Sequence, residues 1–201
     1  HEFCIYDPLV NVPLMVKHPE MDEDTSDEQV ELVDLYHTVL DHAGVEATGS
    51  TVPLDRRRSL LDADSREFAE GEVPGDGDYA FVEYYRPVVE LKQLEEKANA
   101  AGIDLDQNSR FYSRMRAARR PDAKYIRNER IEDEFYHLDD DPDERRDAHG
   151  EGSDEEAAVE GVLSAFEESV GGEWKDVGDE DVLDDMSDSA KDRLQDLGYI
   201  D

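Results

Sequence analysis

Residues 109–138 read SRFYSRMRAARRPDAKYIRNERIEDEFYHL. Within them 109–119, 123–127 and 134–138 are short segments of strand character, divided by Arg120-Pro121-Asp122 and by Asn128-Glu129-Arg130. Breaks this short leave no room for a crossover helix, so the segments predict an antiparallel meander. Working outward, 79–85 (YAFVEYY) is aromatic and β-branched and adds a strand, and Pro87 opens a helix over 87–101 that stops at Gly102. The predicted sheet therefore spans about 79–138.

On the C-terminal side, Ser153 with Glu156 has the spacing of a capping box. Val159, Val162, Leu163, Phe166 and Val170 then keep a helical stripe until Gly171-Gly172, predicting a helix over about 154–170. A last helix is expected over about 187–197, ending at Gly198. On the N-terminal side, 10–16 (VNVPLMV) reads as a buried strand interrupted by Pro13. Ser26 and Gln29 suggest a cap for a helix traced by Val30, Val33, Val39 and Leu40, ending at Gly44 and covering that strand. Residues 48–77 read as connecting loop around Leu60-Leu61.

Charge bounds the partners. The 201 residues hold 55 Asp and Glu against 21 Lys and Arg, a formal charge of -34, and only six of the 21 are Lys. Such a surface repels nucleic acid and anionic membranes, so neither is expected as a partner. It suits molar salt, where screening contracts to roughly 3 Å and carboxylate repulsion fades. An acidic solvating tail is the competing reading, most of all for 141–158 and 172–188. Cys4 is the one cysteine, so no intrachain disulfide forms. No run of 18 apolar residues occurs, which predicts no membrane span. A cytoplasmic setting is the expectation. The chain opens His1-Glu2-Phe3 without Met, directly before an apolar run, which suggests that sequence precedes it.

Several apparent sites have plain explanations. Asp104-x-Asp106-x-Asn108 opens like a calcium loop, but Ser109 and Met115 stand where a turn glycine and a bidentate Glu belong. His37 and His42 share a helix five residues apart, about 140° around its axis, so they do not chelate together and are expected on its surface. Asp139, Asp140, Asp141, Asp143 and Glu144 read as a solvated turn around Pro142, and Arg56-Arg57-Arg58 as a solvated face. Cys4 lacks cationic neighbours and reads as inert. Tyr84, Tyr85 and Arg86 are candidates for an aromatic pocket, with core packing as the commoner use.

Four ordered stretches resemble sulfatases of the alkaline-phosphatase-like superfamily. Residues 6–16 (YDPLVNVPLMV) are similar to the family's run ending V-P-L late in its catalytic domain. Residues 30–44 (VELVDLYHTVLDHAG) resemble its V-x-L-x-D-x-x-P-T-x-L-x-x-A-G helix, with His37 in the proline place. Lys124-Tyr125-Ile126 with 134–144 (EFYHLDDDPDE) looks like its K-Y-I strand and L-Y-D-L-x-x-D-P-x-E turn, and 194–199 (LQDLGY) like its closing L-x-x-L-G-Y. Residues 63–123 have no clear counterpart.

The resemblance implies an α/β fold: the C-terminal portion of a sulfatase, with 1–62 ending the catalytic domain and 63–201 forming a small antiparallel sheet subdomain with packed helices. It implies hydrolysis of a small-molecule or glycan sulfate ester by the intact parent, a sulfuric ester hydrolase, which the composition places in a halophilic setting. A phosphonate or phosphate monoester hydrolase on the same scaffold, and a non-catalytic acidic interaction domain, are the alternatives. In the family a formylglycine arises from a [C/S]-x-[P/A]-x-R motif and a divalent cation, usually Ca2+, is held by an early acidic pair and a D-[H/N]-G run. Neither pattern occurs, and Cys4-Ile5-Tyr6-Asp7 does not match. Nucleophile and Ca2+ ligands are thus expected outside this chain, on an N-terminal sulfatase segment that becomes its partner, and the chain alone is expected to be inactive. The one implied site residue is His1, near the place where the family sets a sulfate-contacting cation.

Overall fold

The computed structural model describes residues 3–19, 25–45, 54–61, 78–172 and Trp174. Four antiparallel strands lie in chain order: β1 (Ala80–Tyr84), β2 (Met115–Arg120), β3 (Ala123–Asn128) and β4 (Glu134–His137). The predicted meander is present, though 109–119 divides into a 3-10 turn at Arg110–Tyr112 and a strand that starts at Met115. Around the sheet stand α1 (Asp7–Val10), α2 (Leu32–His42), α3 (Val88–Ala100) and α4 (Asp154–Ser169). The chain is thus mixed α/β with a small antiparallel sheet. No helix among the described residues is long and apolar enough to cross a membrane.

Side-chain alternation splits the core in two. On one face Ala118, Ala123, Tyr125 and Phe135 pack with Ala148 and with Val159 and Leu163 of α4. Phe81 stacks on Phe166 at 4.2 Å between ring centroids. On the other face Met115, Ala117, Ile126, Tyr136 and Leu138 enclose Ile5, with Tyr6 and Val10 beside them. The segment from Ile5 to Val10 therefore belongs to the sheet's second core. Helix α4 starts where predicted: Ser153 Oγ accepts from Glu156 N at 3.0 Å. Glu156 does not complete the box; its carboxylate meets His149 Nδ1 and accepts from Gly150 N.

Two expectations fail upstream of the sheet. Residues 10–16 form no strand: α1 ends at Val10, and Val12, Leu14, Met15 and Val16 are exposed. A strand needs a neighbour for its backbone groups, and none of the described strands lies beside this run. Helix α2 starts not at Ser26 but at Leu32, capped by Glu31 and Asp34, which exchange side-chain bonds with each other's backbone N–H. Ser26 Oγ instead accepts from Glu28 N. The apolar stripe of α2 faces outward, with Leu32, Val33, Tyr36 and Val39 exposed, while Asp34, His37 and Thr38 are buried. The helix 187–197 and most of 172–188 lie outside the described residues, whereas 141–158 is ordered and not a free acidic tail.

Candidate functional site

Strand register creates an electrostatic problem. It sets Arg119 of β2 directly opposite Lys124 of β3, both on the face that receives Ile5. Like charges opposite each other in a ladder repel, and Lys124 is fully buried. The chain answers with two distant carboxylates. Lys124 Nζ donates to Asp7 Oδ1 at 3.0 Å and to the Ile5 carbonyl at 2.6 Å. Glu144 Oε1 lies 2.9 Å from Nζ as an ion pair, off the line of a formed hydrogen bond. Asp7 N donates to the other oxygen of Glu144. Arg119 Nε donates to Asp7 Oδ2 at 2.9 Å, and its Nη1 donates to Gln29 Oε1. Two cations and two anions thus neutralise one another under the sheet.

The two acids are shifted in opposite directions. Burial pushes the Asp7 carboxyl up, but Arg119 and Lys124 outweigh it and hold the group below its ordinary value. Burial dominates at Glu144 and raises its carboxyl above the ordinary value despite Lys124 alongside. Glu144 is also the one described non-glycine residue with positive φ, at 51°. A non-glycine residue there is strained by about 1–3 kcal/mol and persists where its surroundings over-determine it. The ion cluster does so. The acidic run is therefore not wholly a solvated turn, because its last member points inward.

A second cluster adjoins through Tyr6. Glu134, also buried, accepts from Tyr6 Oη at 2.7 Å and Tyr136 Oη at 2.6 Å on one oxygen. Its other oxygen accepts from Arg110 Nη2 at 2.9 Å and Asn128 Nδ2 at 3.1 Å. Arg110 stacks over the Tyr6 ring at 4.8 Å. Burial and the Glu134 charge raise both phenols above their ordinary range. A basin of about 520 Å³ opens here, walled by Tyr6, Arg110, Glu132, Asp133, Tyr136 and Asp147.

Helix α2 carries a third polar set. Asp34 Oδ1 accepts from Arg58 at 2.9 Å, Thr38 Oγ1 accepts from Leu60 N at 2.9 Å, and His37 Nδ1 accepts from Asp55 N at 3.1 Å. Burial, and then the Arg58 charge, hold His37 below its ordinary value. His37 is therefore not a surface histidine, and Arg58 is not a solvated one. Their burial follows from the loop 54–61, which packs on the polar side of α2 and needs acceptors for its backbone N–H groups.

Of the other candidates, His1 lies outside the described residues. Cys4 is half-buried. Tyr84 joins the second core and Tyr85 turns outward toward Trp174, so the two do not share a pocket. Asp106 Oδ1 accepts from Asn108 N at 2.9 Å, a local turn. No group of three or more His, Cys, Asp or Glu among the described residues is arranged to hold a metal ion, and no residue run matches the formylglycine motif. Nothing in the sequence pairs Asp7 with Glu144, 137 positions apart; the one hint was Lys124, a cation in an otherwise core-facing strand position. No protein-family model matches this chain, and no curated protein matches it.

Proposed function

We propose that the chain is the C-terminal part of a sulfatase-type hydrolase of the alkaline-phosphatase-like superfamily, and that its role is to hold the end of the catalytic domain on a small sheet. One observation carries this reading. Residues from separate stretches that bear the resemblance converge on one buried cluster: Asp7 from the first, Lys124 and Glu144 from the third. Tyr6 and Glu134 join the same stretches a second time. Such agreement gives those motif positions a common structural purpose. In this reading 1–62 completes the catalytic domain and 63–201 is the subdomain that fastens it. Formylglycine and Ca2+ come from the N-terminal partner segment, and His1 reaches a sulfuryl oxygen as hydrogen-bond donor.

The test is reconstitution. The purified chain with an aryl sulfate and Ca2+ is expected to show no turnover. Joined to the polypeptide encoded ahead of His1, it is expected to hydrolyse the ester. His1→Ala should then lower turnover by roughly a hundredfold, as loss of one oxyanion-type donor does. If the encoded upstream segment has no [C/S]-x-[P/A]-x-R run, the enzyme reading fails and an acidic interaction domain replaces it. Turnover of phosphonate or phosphate monoesters in place of sulfates moves the protein to the neighbouring hydrolase class.

A further inference from the structure

One pair of nitrogen ligands meets away from these clusters. His18 Nε2 and His42 Nδ1 are 3.2 Å apart, with the rings edge to face at 86° and their centroids separated by 4.8 Å. His42 is the last residue of α2 and His18 closes the exposed run that follows α1, so the contact joins segments 24 positions apart. Two imidazole nitrogens on one tetrahedral ion, each at about 2.0–2.1 Å, stand roughly 3.3 Å from each other. The observed separation is close to that of a chelating pair. The centroids, at 4.8 Å, stand closer than those of two rings aligned along the 3.2 Å N···N line would, so the ring axes bend away from that line. A straight N–H···N bond would align them along it.

We propose that His18 and His42 form a two-histidine clip for a borderline divalent metal ion of the copper, nickel or zinc class, tying the N-terminal segment to α2. Among the described residues no third His, Cys, Asp or Glu gathers with them. Imidazole ligands favour copper(II) most strongly along the first-row series, and Ca2+ and Mg2+, which take oxygen ligands, do not compete. Neighbouring Asp41 is held by Arg56 at 3.1 Å. Bound metal stabilises the folded chain by mass action and fixes the exposed run 11–18 against α2. The clip is independent of the sulfate-ester reading.

Many carboxylates also attract divalent ions, so the experiment separates nitrogen from oxygen ligation. The full chain, carrying His1→Gln to remove a competing imidazole, is titrated with copper(II) in molar KCl and excess Mg2+. One equivalent is expected, with electron paramagnetic resonance lines split by two imidazole nitrogens. His18→Gln and His42→Gln should each weaken binding by at least the roughly tenfold that loss of a supporting partner alone costs. Circular dichroism checks that both variants fold. An oxygen-only or single-nitrogen spectrum of the His1→Gln chain overturns the proposal without reference to the variants, as does binding unchanged in both variants or removed by Mg2+.

Discussion

Lys124 is a fully buried cation facing another cation, and its neutrality depends on residues far away in sequence. Replacing it with Met keeps the stem and removes the charge, leaving Asp7 and Glu144 without their common partner. Loss of one member of a buried ion pair costs about 3–5 kcal/mol, so Lys124→Met should lower the urea midpoint by a corresponding amount. The two acids then give opposite pH dependence. Asp7 has a folded value below its ordinary 3.8, so its contribution is complete above that pH and disappears as pH falls through the depressed value. Glu144 has a folded value above its ordinary 4.5, so its contribution is complete below that pH and is lost as pH rises through the raised value. Unfolding free energies across pH should show the gap between wild type and Asp7→Asn closing on acidification. Glu144→Gln should flatten the loss on the alkaline side of 4.5. A gap that persists in acid would remove Asp7 from this account.

Among the elements, α4 and α2 illustrate two kinds of helix. Helix α4 is specified locally, with a serine cap, acids in its first turn and an apolar stripe that reaches the sheet through Val159 and Leu163. Ser153→Ala should cost about 1 kcal/mol, the usual worth of an N-cap, read as a shift in thermal or urea unfolding. Leu163→Ala, at a site with no exposure, should cost about 2–5 kcal/mol. If the two substitutions cost the same, the helix is held by its cap rather than its core face. Helix α2 reverses the pattern. Its polar residues are inside because the loop 54–61 offers backbone donors and Arg58, while its apolar residues face out. Periodicity located this helix and its end near Gly44, yet misassigned its buried face, since period reports which residues share a side and not what lies against that side.

For the whole molecule, a charge of -34 on 201 residues makes self-repulsion a general opponent of the folded state. Buried pairs such as Lys124 with Asp7 are screened little by salt, whereas the exposed surplus is screened strongly. The melting temperature should therefore climb between about 0.1 M and 1 M KCl, where the screening length contracts from roughly 10 to 3 Å. A flat or falling curve would contradict adaptation to high salt. By itself the sequence determined the composition, the meander, the α3 and α4 segments and the turn residues between them. Each of these is written in neighbours a few positions apart, where alternation, capping and proline act directly on the backbone. The inward turn of Glu144, the docking of Asp7 beneath the sheet and the polar interior of α2 were decided only by tertiary structure. They arise because strand register brings Arg119 against Lys124, and the carboxylates that neutralise the buried Lys124 and its half-buried neighbour stand more than a hundred residues away in one case and around a strained turn in the other.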